Sequence, residues 1–158
     1  MPMLLNDDTR EFLMSGVSIM LASRNAQLIP SIARAKGCKV TSGDAPTLRI
    51  FISAAQAGDL LEDVRASRMI SATFSVPSTH RTLQFKGNDA AIKPLQADER
   101  ALIDRYVELF ISSIGPLGFG AEFTRAFFAS PPDEVAIEFT PTEGFQQTPG
   151  PSAGARLA

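Results

Sequence analysis

The stretch VSIMLASRNAQLIPSIARAK, residues 17–36, decides the fold class. In its first half Val17, Ile19 and Leu21 alternate with Ser18, Met20 and Ala22, the period of two that a half-buried strand needs. A polar Arg24-Asn25 step leads into a second run, Leu28 to Lys36, so the two runs read as a β-hairpin. So short a turn joins antiparallel neighbours, because a parallel pair needs a crossover of about a dozen residues or more. Pro30 cannot donate to a ladder and is expected at a strand start or on an edge.

Working outward, Asn6, Asp7 and Asp8 precede Phe12 and Leu13, with Asp8 and Glu11 at capping-box spacing, which predicts a short helix ending at Ser15-Gly16. Thr41 to Pro46 is a loop by composition, and Leu48 to Ile52 a strand. Ser53-Ala54-Ala55-Gln56 has the form of a second capping box, followed by Leu60, Leu61 and Val64 at helical spacing. Met69 to Ser75 and Thr82 to Lys86 are two further strands around a Pro77-Ser78 turn. The longest helix opens with Asp98 and Glu99, carries Leu102, Ile103, Tyr106, Val107, Phe110 and Ile114 on one face, and ends at Gly115-Pro116. After Pro131-Pro132, Val135, Ile137 and Phe139 share one face of a last strand. The result is a mixed α/β chain, mainly antiparallel β, folded as a barrel with helices packed outside.

A chain of 158 residues has room for one core. The domain is expected over residues 1–141, and residues 142–158, rich in proline, glycine and glutamine, as an extended or disordered arm. The longest apolar runs, such as Val17 to Ala22, are too short to cross a bilayer, and the acidic N-terminus lacks the pattern of a signal peptide. Cys38 has no second cysteine to pair with and lies near Lys36 and Lys39, which makes it at most a mildly activated thiol and fits a cytoplasmic protein. A net charge of −2 with interspersed signs disfavours nucleic acid as a partner.

No GxSxG elbow, GxGxxG turn, phosphate loop or HExxH pair occurs, and one histidine and one cysteine do not make a zinc site. Gly118-Phe119-Gly120 reads as a turn after the long helix. His80, at the start of a strand, is a surface residue or an acid–base group.

Three segments carry a resemblance: Pro30-Ser31-Ile32-Ala33-Arg34 with Gly37, Ile50-Phe51-Ile52-Ser53 running into Gln56 to Leu60, and Arg81-Thr82-Leu83-Gln84-Phe85-Lys86-Gly87. Their order and spacing resemble the FMN-binding split barrels related to pyridoxamine 5'-phosphate oxidase, over roughly residues 10 to 140. The resemblance implies a split β-barrel and a homodimer with the flavin at its interface. It also implies Arg34, Ser53, Gln56, Thr82, Gln84 and Lys86 as cofactor-binding residues: Arg34 and Lys86 would neutralise phosphate, Ser53 and Thr82 would donate hydroxyls, and Gln56 and Gln84 would offer amides. No residue stands out as a chemical catalyst, as expected when a flavin carries hydride or electron transfer. Gln56 stands where such oxidases usually have a lysine.

The residues also admit structural readings. Ser53 and Gln56 suit a reciprocal helix cap, Arg34 and Lys36 an edge-protecting basic pair, and Thr82, Gln84 and Lys86 the polar face of any half-buried strand. Two functions stay open: an FMN-dependent oxidoreductase, or a non-enzymatic carrier or sensor of a flavin-like or haem-like molecule on the same barrel. The four phenylalanines from Phe119 to Phe128 must be covered by the core or by a partner.

Overall fold

The structure, a computed structural model, describes residues 3–158. The hairpin forms as β1 (Ser18–Arg24) and β2 (Pro30–Arg34), with Met20 opposite Arg34 and Ala22 opposite Ile32. Asn25 closes the turn: its side-chain oxygen accepts from the N–H groups of Gln27 and Ile29. Pro30 opens the edge strand, where a missing donor costs nothing.

Two antiparallel sheets make the split β-barrel. One runs β2-β1-β5-β6-β9, with β5 at Ile70–Ser75, β6 at Thr82–Gly87 and β9 at Glu143–Gln146. The other runs β3-β4-β8-β7, with β3 at Cys38–Val40, β4 at Leu48–Ser53, β7 at Ala91–Lys93 and β8 at Glu134–Phe139. Ile19, Leu21, Phe74 and Phe85 of the first sheet and Ile50, Ile52, Ile137 and Phe139 of the second are almost wholly buried. At about 25 cal/mol per Å² of apolar surface, residues of this kind contribute most of the stability. β4 is buried at every position, which explains why its sequence shows no alternation.

Among the described residues four α-helices pack around the sheets: α1 (Asp7–Leu13), α2 (Leu60–Ser67), α3 (Glu99–Ile114) and α4 (Ala121–Phe128). None of the described helices is long and apolar enough to cross a membrane. Tyr106 of α3 donates its hydroxyl to the Val17 carbonyl, 2.7 Å away, and fastens the helix to the start of β1. Gly16 makes that docking possible, because a Cβ there would lie 2.5 Å from the Leu109 carbonyl carbon.

The structure corrects the sequence reading in several places. Asn6, not Asp8, caps α1 by accepting from the Thr9 N–H. Ser53 ends β4, and α2 starts at Leu60 rather than at the Ser53–Gln56 box, because a turn through Gly58 intervenes. Part of the expected C-terminal arm, Glu143–Gln146, is strand β9, paired with β6 and backed by Leu157, whose N–H donates to the Gly144 carbonyl. Cys38 is buried, and burial pushes its thiol up, away from reactivity. Phe119 to Phe128 is a turn followed by α4: Phe128 enters the core, while Phe119, Phe123 and Phe127 stay about half exposed.

Candidate functional site

β2 ends at Arg34, and the chain then passes Lys36 and turns at Gly37, whose φ of 139° suits glycine. Arg34, Lys36 and Gln56 line one small cleft of about 210 Å³ together with Phe127 and Phe128. Arg34 donates from Nη1 to Ser18 Oγ at 2.7 Å, and its guanidinium lies 5.7 Å from the centre of the Phe127 ring. It has no carboxylate partner among the described residues. Four of its five N–H donors are left for an anion.

Lys36 is buried. Its Nζ donates to Ser130 Oγ at 2.7 Å and to Glu134 Oε1 at 3.1 Å, which leaves one ammonium proton for a ligand. Glu134 also accepts from Arg100 Nη2 at 2.8 Å. The Arg100 hydrogen bond, working against burial and helped by Lys36, holds the Glu134 carboxyl down at about 2. One carboxylate thus answers two cations, and the cleft keeps a positive excess. The Gln56 Nε2 donates to the Ala129 carbonyl at 3.1 Å.

The other four expected residues lie apart from this cleft. Ser53 is buried and gives its hydroxyl to Asp133 Oδ1 at 2.9 Å, while Asp133 Oδ2 accepts the Ala55 N–H at 2.6 Å. Asp133 therefore pins the turn that carries Gln56, and the Ser53 hydroxyl donor is already used. Thr82 shares a hydrogen bond with Ser75 and donates to the His80 carbonyl. Gln84 donates to Ser71 Oγ at 2.8 Å and accepts from Gln147 at 3.0 Å. Lys86 is exposed, with Nζ 5.1 Å from the Phe145 ring centre, and lines a different cleft of about 290 Å³ with Arg24 and Asn88. His80 sits in an exposed turn at φ 61°.

Pairing relates the two groups. Arg34 lies opposite Met20, Met20 opposite Thr73, and Thr73 opposite Gln84, so they share the outer face of the five-stranded sheet. Three strand steps of ~4.8 Å separate Arg34 from Gln84 by roughly 14 Å.

No protein-family model and no curated protein matches this sequence. Solved structures do. HupZ of Group A Streptococcus superposes with a TM-score of 0.57 at 15% identity, covering 96% of this chain and 100% of that one. An F420 reductase gives 0.55 at 18% identity over 89% of this chain and 98% of that chain. A Lactobacillus delbrueckii protein named for pyridoxamine 5'-phosphate oxidase gives 0.52 at 10% identity, covering 89% and 93%. The chain has the split-barrel fold of the pyridoxamine 5'-phosphate oxidase structures.

In this split barrel the cationic cleft sits where the end of β2 meets the turn after β4, and helix α4 closes its far side. Sequence reasoning weighed Lys36 beside Arg34 as edge protection against a phosphate site and left it out of the cofactor-binding residues; its burial against Glu134 rules out a solvated edge pair. Its spacing of two from Arg34 was the available signal. Glu134, Ser130 and the α4 phenylalanines were missed because their approach depends on contacts across more than 90 residues.

Proposed function

We propose that this protein binds FMN as a homodimer and serves as a flavin-dependent oxidoreductase, with the flavin phosphate held by Arg34, Lys36 and Gln56. The observation that carries the reading is the meeting of these three side chains in one cleft. The donor set suits a phosphate: a guanidinium with free N–H groups, an ammonium with one proton left, and an amide. Lys36 supplies the positive charge that Gln56 does not. FMN, when bound, supplies hydride or electron transfer. The protein's part is to hold the phosphate, orient the ring and keep water away.

Thr82, Gln84 and Lys86 lie about three strands from Arg34, so they reach the same flavin only across the sheet face or from a second copy. The outer face favours a second copy. Its centre is built from Met20, Ala22, Ser71 and Thr73, with Ile32 exposed at its edge and Arg34 and Gln84 on either side, the mixed apolar and polar make-up of an interface. The relatives named for a pyridoxamine 5'-phosphate oxidase and an F420 reductase fit a redox role.

A second reading, a non-enzymatic binder of a flavin-like or haem-like molecule, draws on the Ser53 hydroxyl, which is committed to Asp133. Visible spectroscopy and sedimentation separate the two. The first reading expects flavin bands after FMN is added, one flavin per chain, and twice the chain mass at low micromolar concentration. A colourless monomer that ignores FMN counts against it.

A further inference from the structure

On the other side of the Arg34–Phe127 wall lies a groove of about 320 Å³ between α3 and α4. Phe110 and Ile114 form its floor and Phe119, Phe123 and Phe127 its rim. Phe119 and Phe123 are 49% and 62% exposed and lie near parallel, their ring centres 6.4 Å apart. Gly118, at φ 99°, turns the chain so that Phe119 folds back over the groove. Holding this much aromatic surface against water is unfavourable at about 25 cal/mol per Å², which a ligand would relieve.

Among the described residues Arg34 is the single charged group that lines the groove. Its one side-chain partner is the neutral Ser18 hydroxyl, and Arg125, the cation of α4, is already bound to Glu108. An apolar slot ending at a guanidinium with no carboxylate partner is complementary to a molecule with a flat apolar body and one anionic end. A neutral apolar molecule would leave that guanidinium unanswered, and a fully polar anion would leave the phenylalanines wet.

We propose that the groove between α3 and α4 is a second small-molecule site, specific for an aromatic carboxylate whose rings lie among Phe119, Phe123 and Phe127 and whose charge pairs with Arg34. The site stands whether or not FMN binds. If FMN does occupy the neighbouring cleft, the carboxylate lies beside it across the Arg34–Phe127 wall, and both ligands draw on the same guanidinium.

Calorimetric titration of the full chain with 2-naphthoate and with its neutral counterpart 2-naphthalenemethanol tests this. The naphthoate should bind once per chain and at least about tenfold more tightly than the alcohol. Phe123→Ser, at an exposed position, should weaken naphthoate at least about tenfold and leave FMN titration unchanged, which separates this site from the flavin reading. Arg34→Gln should bring naphthoate down to the affinity of the alcohol. Equal affinities for the two naphthalenes, or no binding of either at millimolar concentration, would overturn the proposal. So would a Phe123→Ser protein that sediments as a monomer where the parent is a dimer, since the groove would then be covered by a second copy.

Discussion

Glu99→Ala should lower the unfolding free energy by about 3–5 kcal/mol, the cost of removing one partner from a buried ion pair. Glu99 is fully buried at the first position of α3, and Arg49 of β4 is 3% exposed. Arg49 donates from Nη2 to Glu99 Oε2 at 2.9 Å and from Nη1 to Glu138 at 2.7 Å, and the Gln96 N–H donates to Glu99 Oε2 at 2.7 Å. The carboxylate joins the start of α3 to the second sheet and ties down the backbone that leads into the helix. Without it Arg49 keeps the Pro94 carbonyl and, as its one carboxylate among the described residues, Glu138, which is partly exposed. For a chain of this size the loss should appear as a fall in melting temperature of roughly 10 °C. The double variant Arg49→Met with Glu99→Leu should regain part of the loss, because the two buried charges leave together and only the partly exposed Glu138 loses its cation. Thermal melts that differ by less than about 1 kcal/mol between Glu99→Ala and the parent would show the pair to be solvated.

Lys36→Met should act on both stability and ligand binding. Glu134 loses its ammonium partner but keeps Arg100, so the expected destabilisation is about 2–3 kcal/mol, less than for a fully orphaned charge. FMN binding should weaken at least about tenfold, because a charge-assisted hydrogen bond to phosphate is worth ~1.5–3 kcal/mol. Arg34→Ala supplies the contrast: its side chain is held only by Ser18 and stacking on Phe127, so FMN should weaken about as much with little change in melting temperature. Adding Glu134→Leu to Lys36→Met should restore stability and not FMN affinity. If the double variant recovers FMN binding, Lys36 serves the fold alone.

Much of the architecture was readable because it follows local periodicity. The alternation from Val17 to Ala22, the short Arg24-Asn25 turn and the α3 stripe of Ile103, Tyr106 and Phe110 each point to one structure, and the antiparallel barrel follows from their order. What escaped was short or held by distant partners. β3 and β7 have three residues each, too few to show a period. Glu143–Gln146 becomes a strand because β6 offers it a free edge, not through its own composition. α4 was hidden in a segment that opens with Gly118-Phe119-Gly120. The Ser53–Gln56 box imitates a helix cap, yet Ser53 bonds Asp133, 80 residues away. The candidate site follows the same rule. Arg34 and Gln56 were named through the family resemblance, whereas the place of Lys36 beside them depends on Glu134, Ser130 and α4 closing over it.

In the proposed function Arg34, Lys36 and Gln56 hold a flavin's phosphate. The most direct test compares equilibrium titrations with FMN and with riboflavin, which differ only by that phosphate. Two or more charge-assisted contacts at ~1.5–3 kcal/mol each predict at least about a hundredfold preference for FMN, largely lost in Arg34→Ala. Equal affinity for the two flavins, or a preference that Arg34→Ala leaves intact, would contradict it.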